Sequence, residues 1–300
     1  MDSALHTWAD ARAQLVARVS ARAALIEAPR AGFAGIVWGA DTIVTAAEAV
    51  ARSRCLRVTV EGGELARAEP VGIDLATDVA VLRVPGVAVG SVEAGDSSAL
   101  RAGDPVLVAG RDRRGLLAHW SSVAQVGPSW HSRRGGRLER WLRLAGLEPE
   151  LEGAGVFDLQ GRLCAMAVLA PRRRVTGIPV ETMTRIVGLI ERHGYLPRPY
   201  LGLALRPVAL EAQAGAALPE PQARARALIV LGVDPGSPAA AAGVLLGDVL
   251  LRANGNVLED SAVLSRWLQA SDVGEALDLE ILRAGQKHVL RLRSAERPAA

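Results

Sequence analysis

The chain has 300 residues, half of them hydrophobic but only 3% aromatic, which suits about two domains with cores of Ala, Val and Leu and excludes a mainly disordered chain. Its 35 basic residues, all arginine except Lys287, face 32 acidic ones, and the resulting net charge of +3 does not imply nucleic-acid binding. Cys55 and Cys164 allow at most one bridge and have no His or second Cys at metal-ligand spacing; both fall in strand-like runs, where buried free thiols are expected.

Residues 1–31 read as an amphipathic helical segment. Asp10, Arg12, Arg18 and Arg22 interrupt it at helical spacing, so it lacks the apolar stretch of a signal peptide. No run long enough to span a membrane occurs, and a cytoplasmic location is expected. Short β-rich runs follow, at Gly35 to Trp38, Thr42 to Thr45, Leu56 to Val60, Val79 to Val84, Val106 to Ala109, Gly155 to Asp158 and Leu163 to Leu169. Gly, Asp and Pro separate them, the pattern of closed all-β barrels. From Pro179 to His193 the period turns helical, with Met183, Ile186, Val187 and Ile190 on one face and Gly194 as the stop.

Pro197 and Pro199 then mark a stiff linker and the domain boundary. Beyond it the runs Tyr200 to Leu205, Ala227 to Val233, Asp248 to Ala253, Ala276 to Arg283 and His288 to Arg293 read as strands. A short Ala-rich helix closes at Gly243, and a longer one runs from an Asp260 cap to Ala270. Arg111 to Arg114, Arg133 to Arg140 and Arg172 to Arg174 are basic clusters beside Gly, read as solvated turns.

In order along the chain stand GFAGIVWGADTIVTAAEAV (32–50), VGIDLATDVAVLRV (71–84), SSALRAGDPVLVAG (97–110), LEPELEGAGVFDLQGRLCAM (147–166), GIPVETMTRIVGLI (177–190), YLGL (200–203) and VDPGSPAAAAGVLLGDVLLRANG (233–255). With these segments the chain resembles the HtrA (Deg) family of trypsin-like serine proteases. The resemblance implies a mainly β fold: an N-terminal helical segment (1–31), a trypsin-like double β-barrel (32–196) and an α+β PDZ domain (197–300). Such proteases need a His base, an Asp that orients it, a Ser nucleophile and backbone N–H groups for the oxyanion. Matched to the family's motifs, Asp78 keeps its place, but Glu48 stands where the His would be and Glu152 where the Ser would be. Glu150 and Gly153 fall in the oxyanion turn, and Glu150 replaces its leading Gly.

A carboxylate cannot serve as the nucleophile for peptide hydrolysis without forming an anhydride, so the expected protein is a non-catalytic pseudoprotease without a cofactor. An active endopeptidase with a displaced group is the alternative, and Ser121, Ser122, Ser129 and Ser132 near His119 and His131 are its candidates, although they read as a polar loop. Glu48, Asp78 and Glu152, brought together by such a fold, must raise at least one pKa, meet an arginine or hold a hard cation.

The PDZ likeness implies capture of peptide C-termini or unfolded segments. Tyr200, Leu201, Gly202 and Leu203 resemble the carboxylate-binding loop, and Leu201 and Leu203 with Val263, Leu264, Trp267 and Leu268 would form an apolar side-chain pocket. Scaffolding, chaperone-like holding or regulation of an active homologue would follow. The family likeness further implies a homotrimer and, with the composition, a bacterial source. Trp8 and Leu15 offer apolar contacts either to partner subunits or to the chain's own barrel.

Overall fold

In the computed structural model, residues 2–29, 31–51, 53, 55–63, 65–87, 90–132, 134–170, 174–210, 225–271 and 273–296 are described. Arg133, Arg172 and Arg173 of the basic clusters, and residues 211–224, lie outside them. The chain divides into two units, residues 1–132 with 137–196, and residues 133–136 with 197–300.

Helix α1 (Asp2–Val19) ends well before Ala31. A 3-10 turn over Ser20–Arg22 leads into strand β1 (Ala23–Ala28), which corrects the expected helix over 1–31. The reason is burial: Ala23, Ala24, Leu25 and Ile26 are all at most 5% exposed, and a fully buried strand lacks the polar alternation that tells it from a helix. Leu15 and Val19 pack into the core between the barrels, so α1 folds onto its own unit. Trp8 stays 59% exposed, and the Arg12 guanidinium lies 4.5 Å from its ring centroid and 4.5 Å from that of Trp120.

The first barrel is completed by β2 (Ala31–Gly39), β3 (Thr42–Ala46), β4 (Leu56–Thr59), β5 (Ala66–Asp74) and β6 (Val79–Arg83), with the short helix α2 (Ala47–Val50) after β3. It closes in the order β1-β2-β3-β6-β5-β4. The second barrel uses β7 (Pro105–Asp112), β8 (Gly115–Gly127), β11 (Trp141–Leu144), β12 (Gly155–Phe157), β13 (Leu163–Ala170) and β14 (Arg174–Pro179), with the small pair β9 (Trp130–His131) and β10 (Arg137–Leu138) beside it. Its ring β7-β8-β11-β14-β13-β12 repeats the first barrel's order strand for strand. The first interior is filled by Ile26, Ile43, Leu56 and Leu82, and the second by Val106, Leu142, Val156 and Cys164. A third cluster, including Ile36, Val44, Leu107, Phe157 and Met166, joins the two. Helix α3 (Val180–His193) buries the expected face, and the Gly194 N–H (φ +77) donates to Ile190 O at 2.7 Å.

Two local expectations change. Cys55 is exposed ahead of β4, whereas Cys164 is buried, and both are free. His119, Ser121 and Ser122 lie on β8 and not in a loop, because that strand is half-covered on both faces and shows no clean alternation.

The second unit contains β15 (Pro199–Tyr200), β16 (Leu203–Leu210), β17 (Ala225–Val233), α4 (Pro238–Ala241), β18 (Val249–Ala253), β19 (Asn256–Val257), α5 (Ser261–Ala270), β20 (Ala276–Arg283), β21 (Gln286–Arg293) and β22 (Ala295–Glu296). Its main sheet runs β16-β17-β18-β20-β21, with β19 paired to β18; β15 pairs separately with β22. Asp260 caps α5 by accepting the Ala262 N–H at 3.2 Å, and Ser237 caps α4 through the Ala240 N–H. Leu228, Leu250, Leu264, Leu277 and Ile281 form the core. The architecture is thus mainly β, a trypsin-like double barrel with a C-terminal PDZ domain.

Candidate functional site

At the end of β3 the chain turns directly into α2, which leaves Glu48 exposed in its first turn. Asp78, in the left-handed conformation at φ +60, precedes β6. Its carbonyl accepts the Ala47 N–H (3.3 Å) and its carboxylate accepts the Glu48 N–H (3.0 Å), so Asp78 ties α2 to the first barrel. Glu152 follows a 3-10 turn over Pro149–Leu151 and is half-buried.

Glu48 and Glu152 lie close enough for their charges to act on Asp78, and Glu48 close enough to act on Glu152. Asp78 is pushed up to about 6, first by burial and then by the charges of Glu48 and Glu152, against the pull of the Glu48 N–H. Glu152 is raised as well, by burial first and by Glu48, against a bond from the Leu169 N–H. Desolvation, not mutual repulsion, is the larger effect. Among the described residues no group of three or more His, Cys, Asp or Glu side chains is arranged to hold a metal ion.

This carries a pH dependence. Folded Asp78 holds its proton up to about pH 6, whereas an ordinary Asp releases it near 3.8. Between those values the native state binds the extra proton, and stability falls as pH rises, until above about pH 6 the full cost, at most about 3 kcal/mol, is present. Asparagine tolerates φ +60 and still accepts the Glu48 N–H. Asp78→Asn is therefore expected to raise the melting temperature of the barrel unit above about pH 7 and to leave it unchanged below about pH 4. A variant no more stable than wild type at neutral pH would contradict the charge burial.

The turn that bears Glu152 is closed by its own backbone. Leu151 N–H donates to Glu148 O (2.9 Å), Glu152 N–H to Pro149 O (3.2 Å), Gly153 N–H to Ala167 O (2.8 Å) and Ala154 N–H to Leu151 O (3.0 Å). Ala34 N–H donates to Glu152 O (3.0 Å), and the Thr45 hydroxyl to Ala34 O (2.8 Å). Gly153 (φ +87) fits only as glycine, since a Cβ would lie 2.3 Å from Ala34 O. Donors at Glu152 and Gly153 are thus committed within the protein, and Glu150 is exposed on the turn. Two of the four alternative nucleophiles are engaged elsewhere: the Ser121 hydroxyl donates to Gly146 O (3.2 Å) and the Ser132 hydroxyl to Ala76 O, while His119 faces Glu148 at 3.9 Å. Leu144 is 4% exposed within the second barrel's core.

The second site lies in the PDZ domain. Gly202 (φ +79) leaves room for Ser237, whose Cβ would sit 2.1 Å from a Cβ at this position. Tyr200 bonds the Asp234 carboxylate through its hydroxyl, and Leu201 O accepts the Ala239 N–H at 3.0 Å. Helix α5 packs beside β15 and β16. Of the residues expected to line a pocket, Leu201 and Leu264 are core, at 2% and 3% exposure. Leu203, Val263, Trp267 and Leu268 are half-buried on the same cluster, and Leu205, absent from the expected set, joins them. Asp234 and Ser237 brace the loop as well, and the Asp-Pro-Gly-Ser turn is their only signal in the sequence.

Comparison with known proteins matches a trypsin-like peptidase domain to residues 33–166 and a PDZ domain to residues 229–283. The putative serine protease HhoB of Synechocystis sp. is 25% identical over 88% of this chain and 66% of its own length. The chloroplastic Protease Do-like 1 of Arabidopsis thaliana is 27% identical over 91% of this chain and 66% of its own length. The chain thus spans just under two-thirds of these relatives. Among solved structures, the HtrA-type protease AlgW with a decapeptide superposes with a TM-score of 0.65 at 21% identity, covering 96% of this chain and 99% of that one, a likeness of fold. Both matched domains and these relatives support the HtrA/Deg resemblance. A chloroplastic relative lends nothing to the cytoplasmic expectation; what the structure shows is that, among the described residues, no helix is long and apolar enough to cross a membrane.

Proposed function

We propose that this chain, a trypsin-like double barrel joined to a PDZ domain and similar to HtrA/Deg serine proteases, is a non-catalytic member that binds exposed peptide segments or C-termini through its PDZ groove. As a peptide binder it would serve as a scaffold, a chaperone-like holder or a regulator of an active homologue. The observation that carries this reading is the pairing of Glu48 and Glu152 at the catalytic positions with a turn whose Glu152 N–H is already bonded to Pro149 O. Hydrolysis needs a nucleophile, a base and free donors aimed at the oxyanion, and each of the three has a specific counter-observation here.

The groove supports the binding half. A half-buried apolar lining of Leu203, Leu205, Val263, Trp267 and Leu268 lies along an edge strand beside a Gly-containing loop, as capture of a peptide terminus requires. The AlgW structure named above holds a decapeptide. The test is direct: purified protein incubated with fluorescent casein and a fluorophosphonate probe is expected to show neither cleavage nor labelling. The same preparation should bind fluorescent peptides with a free apolar C-terminus and lose them when that terminus is amidated. Casein cleavage that persists through repurification would overturn the non-catalytic reading, and equal binding of acid and amide would overturn C-terminal capture.

A further inference from the structure

Strand β16 is the terminal strand of its sheet: β17 pairs with one side, and among the described residues no strand pairs with the other. Two observations fix which of its peptide groups face that open side. Asp234 N–H donates to Gly202 O at 2.9 Å, the bond that flanks a non-hydrogen-bonded Leu203–Val233 pair. Pro207 pairs with Leu228 although it has no N–H to give, so this pair is non-hydrogen-bonded too. Between them Ala204 stands opposite Gly232 and Leu205 opposite Val230, which leaves Leu231 as an extra residue on β17 and keeps the alternation on β16 intact. Leu203 and Leu205 therefore direct both N–H and C=O at the open edge, and Pro207 directs only C=O.

From this pattern we infer that Pro207 is a specificity-determining residue that ends the ladder, so that the groove reads only the extreme C-terminus of a peptide. The inference rests on the peptide-binding reading above. With the terminal residue of an antiparallel peptide opposite Leu203, the third residue from its end stands opposite Leu205 and exchanges two hydrogen bonds. The fifth stands opposite Pro207, where its N–H can reach the proline carbonyl but its own C=O meets no donor. Added length beyond about the third residue then brings one bond where an ordinary edge strand would give two, and leaves a peptide carbonyl to water. Pro207 is exposed and fits an edge strand at no cost to the sheet, so its effect falls on the ligand.

The experiment is a length series on the full chain: N-acetylated tri-, tetra-, hexa- and octapeptides ending in a free valine carboxylate, titrated by calorimetry against wild type and Pro207→Val. Wild-type affinity is expected to change by less than about three-fold from tripeptide to octapeptide. The Pro207→Val protein, which restores the donor, is expected to bind the hexapeptide and octapeptide roughly two- to ten-fold more tightly than wild type does and the tripeptide equally. A steady wild-type gain with every added pair of residues would overturn the inference while leaving peptide binding standing, and the wild-type series decides this even if the variant folds poorly. Equal hexapeptide affinity in a folded Pro207→Val protein would overturn it as well. Failure of both proteins to bind any of the peptides would overturn the peptide reading and this inference together.

Discussion

A Glu48→His, Glu152→Ser double variant is expected to remain without measurable casein hydrolysis, at least about a thousand-fold below an active HtrA protease. The side chains alone would then be adequate: a histidine at position 48 beside Asp78, and a serine hydroxyl at 152. The turn itself stays unchanged. Of the two N–H groups that an oxyanion site of this kind uses, those of residues 150 and 152, the second is bonded to Pro149 O. Loss of a single such donor costs roughly a hundred- to a thousand-fold in rate, and Glu150 adds a negative charge on the same turn. A triple variant that also carries Glu150→Gly frees the first position of the turn and removes the charge, so any recovered activity should be seen there. Cleavage by the double variant within about ten-fold of an active relative would show that the turn reopens on substrate binding and that the loss of activity lies in two side chains only.

Gly153→Ala is expected to destabilise the barrel unit by about 3 kcal/mol or more, a fall of roughly 6–12 °C in its melting transition. Two costs add. An alanine at φ +87 is strained by about 1–2 kcal/mol before any contact is counted. Its Cβ would also lie 2.3 Å from Ala34 O and 2.8 Å from Thr45 Oγ1. Neither can retreat easily, because the Thr45 hydroxyl bonds Ala34 O at 2.8 Å and the Ala34 N–H bonds Glu152 O at 3.0 Å. Gly62→Ala is the control, since Gly62 has a comparable φ of +66 with nothing within 4 Å of its Cβ. The melting curves of the two variants should differ by the clash alone; equal shifts would mean that the turn at residue 153 moves aside at little cost.

The parts of the fold legible in the sequence were those whose signal is local. Helix α3 announced itself through Met183, Ile186, Val187 and Ile190 at helical spacing with Gly194 beyond, because one face of it meets the core and the other meets solvent. Asp260 marked the start of α5 for an equally local reason, a side chain that caps its own helix. Strand β1 reads in the sequence as part of a helical segment because both its faces are buried. Strand β16 reads in the sequence as ending at Leu205, short of its actual end at Leu210, because proline signals a stop unless the strand lies on an edge.

The same division runs through the sites. Residue identity is a property of the sequence, so the acids at positions 48, 78 and 152, the altered oxyanion turn and the Tyr-Leu-Gly-Leu loop were all visible without coordinates. Long-range pairing was not. That burial outweighs repulsion at Asp78, that Gly153 is locked against Ala34 and Ala167, that Leu201 and Leu264 belong to the core, and that Pro207 faces an open edge each depend on segments distant in the chain or on the pairing of strands. Hydrogen bonds between such segments and the desolvation of a carboxylate exist only once the barrels have closed, and for that reason only the tertiary structure decided them.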